Sequence, residues 1–90
     1  MAKHLKIKIY GQVQGVLFRY TAKEKADELA IYGFARNEDD GTVYIEAEGE
    51  EDALEIFLDW CNAGPFSAKV VKVERTEGEV KNFSDFKNAY

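Results

Sequence analysis

Two stretches of this 90-residue chain combine residue types that could handle an anion. Residues 11–19 read GQVQGVLFR, a segment with two glycines that ends on an arginine. Successive backbone N–H groups in such a loop, next to the positive end of a following helix, form a cradle for a phosphate-like group. Arg19, the only cation of the segment, adds a permanently charged planar fork that matches two phosphate oxygens without a metal. The Lys-Ser or Lys-Thr pair of a GxxxxGK[ST] nucleotide loop is absent, as is an evident Mg²⁺ ligand set. On spacing alone, a plain glycine-containing connection with a solvated Arg19 is the more frequent outcome. Asn37 could hold a water through its amide, but ahead of Glu38, Asp39, Asp40 and Gly41 it reads more simply as a turn residue.

The remaining reactive side chains suggest little chemistry. Cys61 has no second cysteine to pair with and lies on an apolar helical face, so it reads as a buried core thiol. His4 reads as a surface residue of a strand, with nothing nearby to act as a partner. One His, one Cys and scattered carboxylates offer no metal-ligand spacing, and no metal or other cofactor is expected. The Glu38 to Asp40 run is expected to be a solvated turn. A net charge of −5, with acidic residues spread along the chain, argues against nucleic acid as a partner. The sheet sequence shows no combination of aromatic and basic residues of the kind an RNA-binding face displays. The lysines of residues 3–8 and 23–25 read as solvated faces. Neither a signal-peptide core nor a long apolar run is present, so the expectation is a cytoplasmic protein without a membrane partner.

The elements that must position Arg19 and Asn37 follow from hydrophobic period. Leu5, Ile7 and Ile9 alternate with Lys6, Lys8 and Tyr10, a half-buried strand ending near Gly11. Ala22, Ala26, Leu29 and Ala30 then form one face of an amphipathic helix, with Gly33 expected at its exit. Residues 34–37 begin a second strand, Asp40-Gly41 signals a hairpin, and Val43, Ile45 and Ala47 mark the returning strand. Gly49 interrupts that pattern. Ala53, Leu54, Phe57, Leu58, Trp60 and Cys61 form the apolar face of a second helix, closed by Gly64-Pro65. A further strand starts near Ala68, where Ala68 and Val70 are out of phase with Val71 and Val73, so either a bulge or two covered faces is required. Phe83 and Phe86 leave room for a last edge strand. The order is that of a ferredoxin-like α+β sandwich, βαββαβ, with two helices on one face of a four- to five-stranded, mainly antiparallel sheet. One domain over residues 1–90 is expected, and this fold alone implies no function.

With GFARN, DG, AEG, the Phe57–Trp60 helix and GPFSAKV following GQVQGVLFR, the chain resembles the acylphosphatase family over roughly residues 5–75. The resemblance implies a ferredoxin-like fold and metal-free hydrolysis of acyl phosphates. It also implies that Arg19 binds the substrate phosphate, that Asn37 orients the attacking water, and that backbone amides of Gln14, Gly15, Val16, Leu17 and Phe18 complete the cradle. The implied partners are a small acyl phosphate and inorganic phosphate or a similar anion, with the acyl group left largely in solvent. A monomer is expected. The alternative is a non-catalytic anion-binding module of the same fold. Acylphosphatase-like domains also occur inside larger carbamoyl-transfer maturation proteins; the end of this chain soon after one domain speaks for a stand-alone enzyme. Phe34 and Ala35 stand where the family often has Trp and Val, Phe66 replaces a proline, and residues 82–90 match least.

Overall fold

The computed structural model describes residues 2–89. Strand β1 (Ala2–Gln12) leads into helix α1 (Phe18–Glu28), followed by β2 (Tyr32–Asn37), β3 (Val43–Glu50), α2 (Glu51–Ala63), β4 (Lys69–Gly78) and β5 (Phe86–Ala89). The strands form one sheet in the order β4-β1-β3-β2-β5, antiparallel throughout except for the parallel β2–β5 pair. The expected ferredoxin-like sandwich is therefore present, and the last edge strand exists. Leu5, Ile7 and Ile9 of β1 turn their side chains towards the helices, where Val43, Ile45 and Ala47 join them from β3. Ala22 and Ala26 of α1 and Leu54, Phe57, Leu58 and Cys61 of α2 close the core from above. Burial also pushes the Cys61 thiol well above its ordinary pKa, which keeps it an unreactive core group. No helix among the described residues is long and apolar enough to cross a membrane.

The edge strand β5 is only four residues long. Burying Phe86 stabilises it by about 2–3 kcal/mol, against roughly 1 kcal/mol net for a single ladder hydrogen bond. Phe86 is 1% exposed and packs edge-on against Phe57 at 6.2 Å. Its side chain thus contributes more to the segment than any single ladder bond.

Several local expectations are corrected. Gly33 does not end α1; the left-handed residue after the helix is Ala30, at φ 56°. Gly33 lies inside β2 at φ 149°, where a Cβ would stand 1.8 Å from the Glu46 carbonyl oxygen. Close strand approach, not helix exit, explains that glycine. The hairpin signalled by Asp40-Gly41 is present, joined by a loop of residues 39–41. Glu38 N–H donates to Thr42 O at 2.9 Å and Gly41 N–H to Glu38 O at 3.1 Å, and only Gly41 has positive φ. This is the three-residue loop in which a left-handed glycine closes the turn. Gly49 does not interrupt β3, which runs through it to Glu50. In β4 the bulge alternative holds. Tyr10 pairs with Lys72 and Gly11 with Val70, so Val71 is the extra residue; it is 76% exposed, while Val70 and Val73 both pack on the core.

The largest correction concerns His4, which is fully buried. Strands β4 and β5 occupy opposite edges of the sheet, so residues 79–85 must cross the face that carries no helices. His4 projects onto that face. Phe83 stacks on its ring at 5.9 Å and meets Phe34 edge-on at 5.9 Å. His4 Nδ1 donates to Glu48 Oε2 at 2.7 Å, and its Nε2 lies 2.9 Å from Glu46 Oε1 without hydrogen-bond geometry. Glu48 also accepts from the Lys81 and Phe83 amides, and Glu46 from Tyr44 Oη and Lys81 Nζ. Burial pushes both carboxyls up, but these hydrogen bonds and charges outweigh it and hold both below the ordinary range. A lowered carboxyl pKa stabilises the fold above the unfolded value and loses that stabilisation as pH falls through the folded value. Thermal stability is therefore expected to decline below about pH 4.5, and Glu48→Gln should flatten that decline while lowering Tm at neutral pH. Melting curves across an acid series check both; an equally steep decline in the variant would remove Glu48 as its source.

The open face also departs from expectation in combining aromatic rings with cations. Arg36 lies 4.7 Å from the Tyr44 ring and Lys72 4.4 Å from the Tyr10 ring. Each cation is paired with a carboxylate: Arg36 with Glu38 at 3.0 Å, Lys72 with Glu74 at 3.5 Å, and Lys8 with Asp40 at 3.0 Å. The face consequently offers a phosphate backbone little unbalanced positive charge.

Candidate active site

The loop between β1 and α1 is held by donors from three directions. Gln14 Nε2 reaches across to the β2–β3 hairpin and donates to Glu38 O at 2.8 Å and Thr42 O at 2.9 Å. Ser67 Oγ donates to Val16 O at 2.9 Å, and Leu17 O accepts from Thr21 N–H at 3.0 Å and Thr21 Oγ1 at 2.9 Å. In a trans peptide the carbonyl of one residue and the N–H of the next point in opposite directions, and no cis bond occurs among the described residues. With the Val16 and Leu17 carbonyls directed at Ser67 and Thr21, the Leu17 and Phe18 N–H groups point away from those partners. Gly15 (φ 72°) and Leu17 (φ 63°) are left-handed while Val16 and Phe18 are not. That alternation of hand is the backbone pattern of an anion-binding nest. A left-handed leucine costs about 1–2 kcal/mol, whereas glycine at Gly15 takes the conformation without that penalty.

Helix α1 starts at this loop without a side-chain cap and without an acidic residue in its first turn among the described residues. Helix α2 differs, since Glu51 and Asp52 occupy its first turn. The positive end of α1 is thus left for an external anion. Phe18, 1% exposed, pins that end into the core, packing on Trp60 at 5.1 Å; a Cβ on Gly64 would come within 2.9 Å of its ring.

Above this end lies a concavity of about 270 Å³ lined by Gly15, Leu17, Phe18, Arg19 and Asn37, together with Val13, Tyr20 and Asn88. Five of the residues singled out from sequence therefore meet around one space. Gln14 and Val16 do not line it. Gln14 uses its side chain to bind the hairpin, and Val16 packs on the core. Arg19 is half-buried in the first turn of α1, and its Nη1 donates to Ala89 O of β5 at 2.9 Å. Asn37 ends β2 opposite Val43, beside the turn that Gln14 clamps. In that turn Asp40 accepts hydrogen bonds from the Thr42 hydroxyl, at 2.6 Å, and from Lys8 and the Thr42 amide, and these hold its carboxyl at about 2. Asp40 is accordingly ionised at working pH and cannot serve as a proton donor. No group of His, Cys, Asp and Glu among the described residues is arranged to hold a metal ion.

Val13, Tyr20 and Asn88 were missed by sequence reasoning. Tyr20 carries a weak signal, its place next to Arg19 at the helix start. Asn88 carries none, because nothing local places β5 beside β2. Its Oδ1 is buried with no hydrogen-bond partner among the described residues. An unsatisfied buried acceptor costs about 1–3 kcal/mol, so Asn88→Leu is expected to raise Tm by about 4–8 °C per kcal/mol recovered. Thermal denaturation checks this; an unchanged or lower Tm would mean that the amide has a partner in solution.

The protein is thus a small α+β domain of the ferredoxin-like fold, with a cleft at the uncapped start of its first helix. The model of the acylphosphatase family matches residues 5–88. An acylphosphatase of Ligilactobacillus salivarius is 48% identical, over 98% of this chain and 99% of that one. The crystal structure of acylphosphatase from Bacillus subtilis superposes with a TM-score of 0.95 at 36% identity, covering 100% of both chains. A HypF protein of T. kodakarensis shares the fold with a TM-score of 0.86 at 27% identity, over 98% of this chain but only 12% of its own. The chain belongs to the acylphosphatase family, as an enzyme of that class acting on acyl phosphates.

Proposed function

We propose that the protein hydrolyses the carboxyl-phosphate anhydride bond without a metal, releasing a carboxylate and inorganic phosphate. Arg19 and amides of the loop, those of Gly15, Leu17 and Phe18 before those of Gln14 and Val16, hold the phosphoryl group, and Asn37 orients the water. The observation that carries this reading is the convergence of Arg19 and Asn37 on one cleft at the uncapped start of α1. In this reading the donors around the cleft meet the charge on the phosphoryl oxygens, and preorganised donors of that kind supply most of the stabilisation in phosphoryl transfer. Asn37 accepts a hydrogen bond from water through its carbonyl and donates one from its amide to a phosphate oxygen, which sets the water in line.

Two groups suffice because the chemistry asks for little else. The leaving carboxylate has a conjugate-acid pKa of about 4 and departs without protonation near neutral pH. In a loose transition state the water forms little bond before the anhydride bond breaks, so no strong base is needed. The water proton passes to the phosphate. The protein acts as a cytoplasmic monomer with no nucleic-acid partner.

The test is hydrolysis of benzoyl phosphate in excess chelator. Turnover insensitive to the chelator supports the reading. No turnover, with inorganic phosphate still binding at the Arg19 loop, would make the chain a non-catalytic anion-binding module.

A further inference from the structure

Leu17 and Tyr20 line the same cleft, yet the hydrolytic step uses neither side chain. Both stand at its mouth, 70% and 57% exposed. Tyr20 projects from the first turn of α1 and Leu17 immediately precedes that turn, so both border the cleft from its α1 side. Leu17 is unfavourable on two counts, a left-handed backbone at φ 63°, ψ 21° and a large apolar side chain in water. The cradle needs only the backbone geometry, which glycine would adopt without strain. Both donors of Thr21 hold the Leu17 carbonyl, so the strained conformation is enforced by its surroundings. Strain held in this way at a ligand site points to use of the group it presents.

With the phosphoryl group at the base of the cleft, the rest of a substrate leaves through the mouth. We infer that Leu17 and Tyr20 form an apolar rim that takes the acyl part of the substrate, so that the enzyme favours acyl phosphates with a ring-sized apolar acyl group. This rests on the proposed hydrolysis of acyl phosphates and narrows the broad acyl tolerance of a cradle that reads phosphate alone. The rim contributes ground-state binding, so it lowers KM for such substrates and leaves kcat little affected.

The experiment compares kcat/KM for benzoyl phosphate and acetyl phosphate in the wild type and in Leu17→Gly, Leu17→Met and Tyr20→Ser. The benzoyl-to-acetyl ratio is expected to fall about tenfold, equivalent to 1.4 kcal/mol, in Leu17→Gly and in Tyr20→Ser. Most of that fall should come from KM for benzoyl phosphate, and Leu17→Met, which keeps an apolar chain on the same backbone, should hold the ratio within about twofold. Wild-type turnover with the ratio unmoved in both Leu17→Gly and Tyr20→Ser would overturn the rim alone. A wild type that hydrolyses neither substrate would overturn the parent reading and the rim with it.

Discussion

Arg19→Ala is expected to lower kcat/KM for benzoyl phosphate by about a thousandfold, in line with the roughly 3–4 kcal/mol lost with a preorganised transition-state donor. Both KM and kcat should suffer, since the guanidinium meets the phosphoryl charge in the bound substrate and again as the anhydride bond breaks. Arg19→Lys keeps the charge but not the planar fork, and should recover only part of the loss. The side chain has a second role, because its Nη1 donates to Ala89 O and ties α1 to the edge strand β5. Removing that donor should destabilise the fold by about 1 kcal/mol. Steady-state kinetics at a temperature where circular dichroism shows the variant folded separates the two effects. Retention of more than about a tenth of the wild-type kcat/KM would show that the loop amides carry the phosphate without Arg19.

Asn37→Ala should act differently, lowering kcat about a hundredfold to a thousandfold with KM little changed. The side chain is exposed at the end of β2, so its truncation leaves the core and the strand pairing with Val43 intact. Asn37→Asp is not expected to rescue the rate: a carboxylate accepts from water but cannot donate to phosphate, and it repels that anion. If the water proton goes to phosphate, the pH dependence of kcat in the wild type shows no ionisation of an enzyme base. A rise in KM with kcat preserved in Asn37→Ala would assign the residue to substrate binding, and a fall in kcat as pH drops through an enzyme-group ionisation would require a base that the cleft does not contain.

Legibility differed from element to element. The helix of Leu54, Phe57, Leu58 and Cys61 could be read directly, because a 3.6-residue period and a Gly-Pro stop are local properties. The bulge in β4 was visible as a phase break between Val70 and Val71, although only pairing with Gly11 resolves which residue is extra. Gly33 misled, because a glycine after a helical pattern signals an exit, and only the neighbouring strand reveals the Glu46 carbonyl against it. Gln14 was read for its backbone, whereas its side chain does the fastening of loop to hairpin. For His4, a strand pattern with alternating lysines implies solvent on the second face, and that implication failed when residues 79–85 crossed it.

The sequence makes the order of elements, the apolar faces and the loop that ends on Arg19 legible, since periodicity and turn chemistry act over a few residues. Through its resemblance to a family it also pointed to Asn37. Only the packed sheet shows that Asn88 shares the cleft with these two, that Ala89 holds the Arg19 side chain, and that His4 is enclosed between Glu46 and Glu48. Those relations depend on the strand order β4-β1-β3-β2-β5, which sets β5 beside β2 and sends its connection across the sheet. Strand order is fixed by which faces and edges bury together, a property of the whole chain that no local window contains.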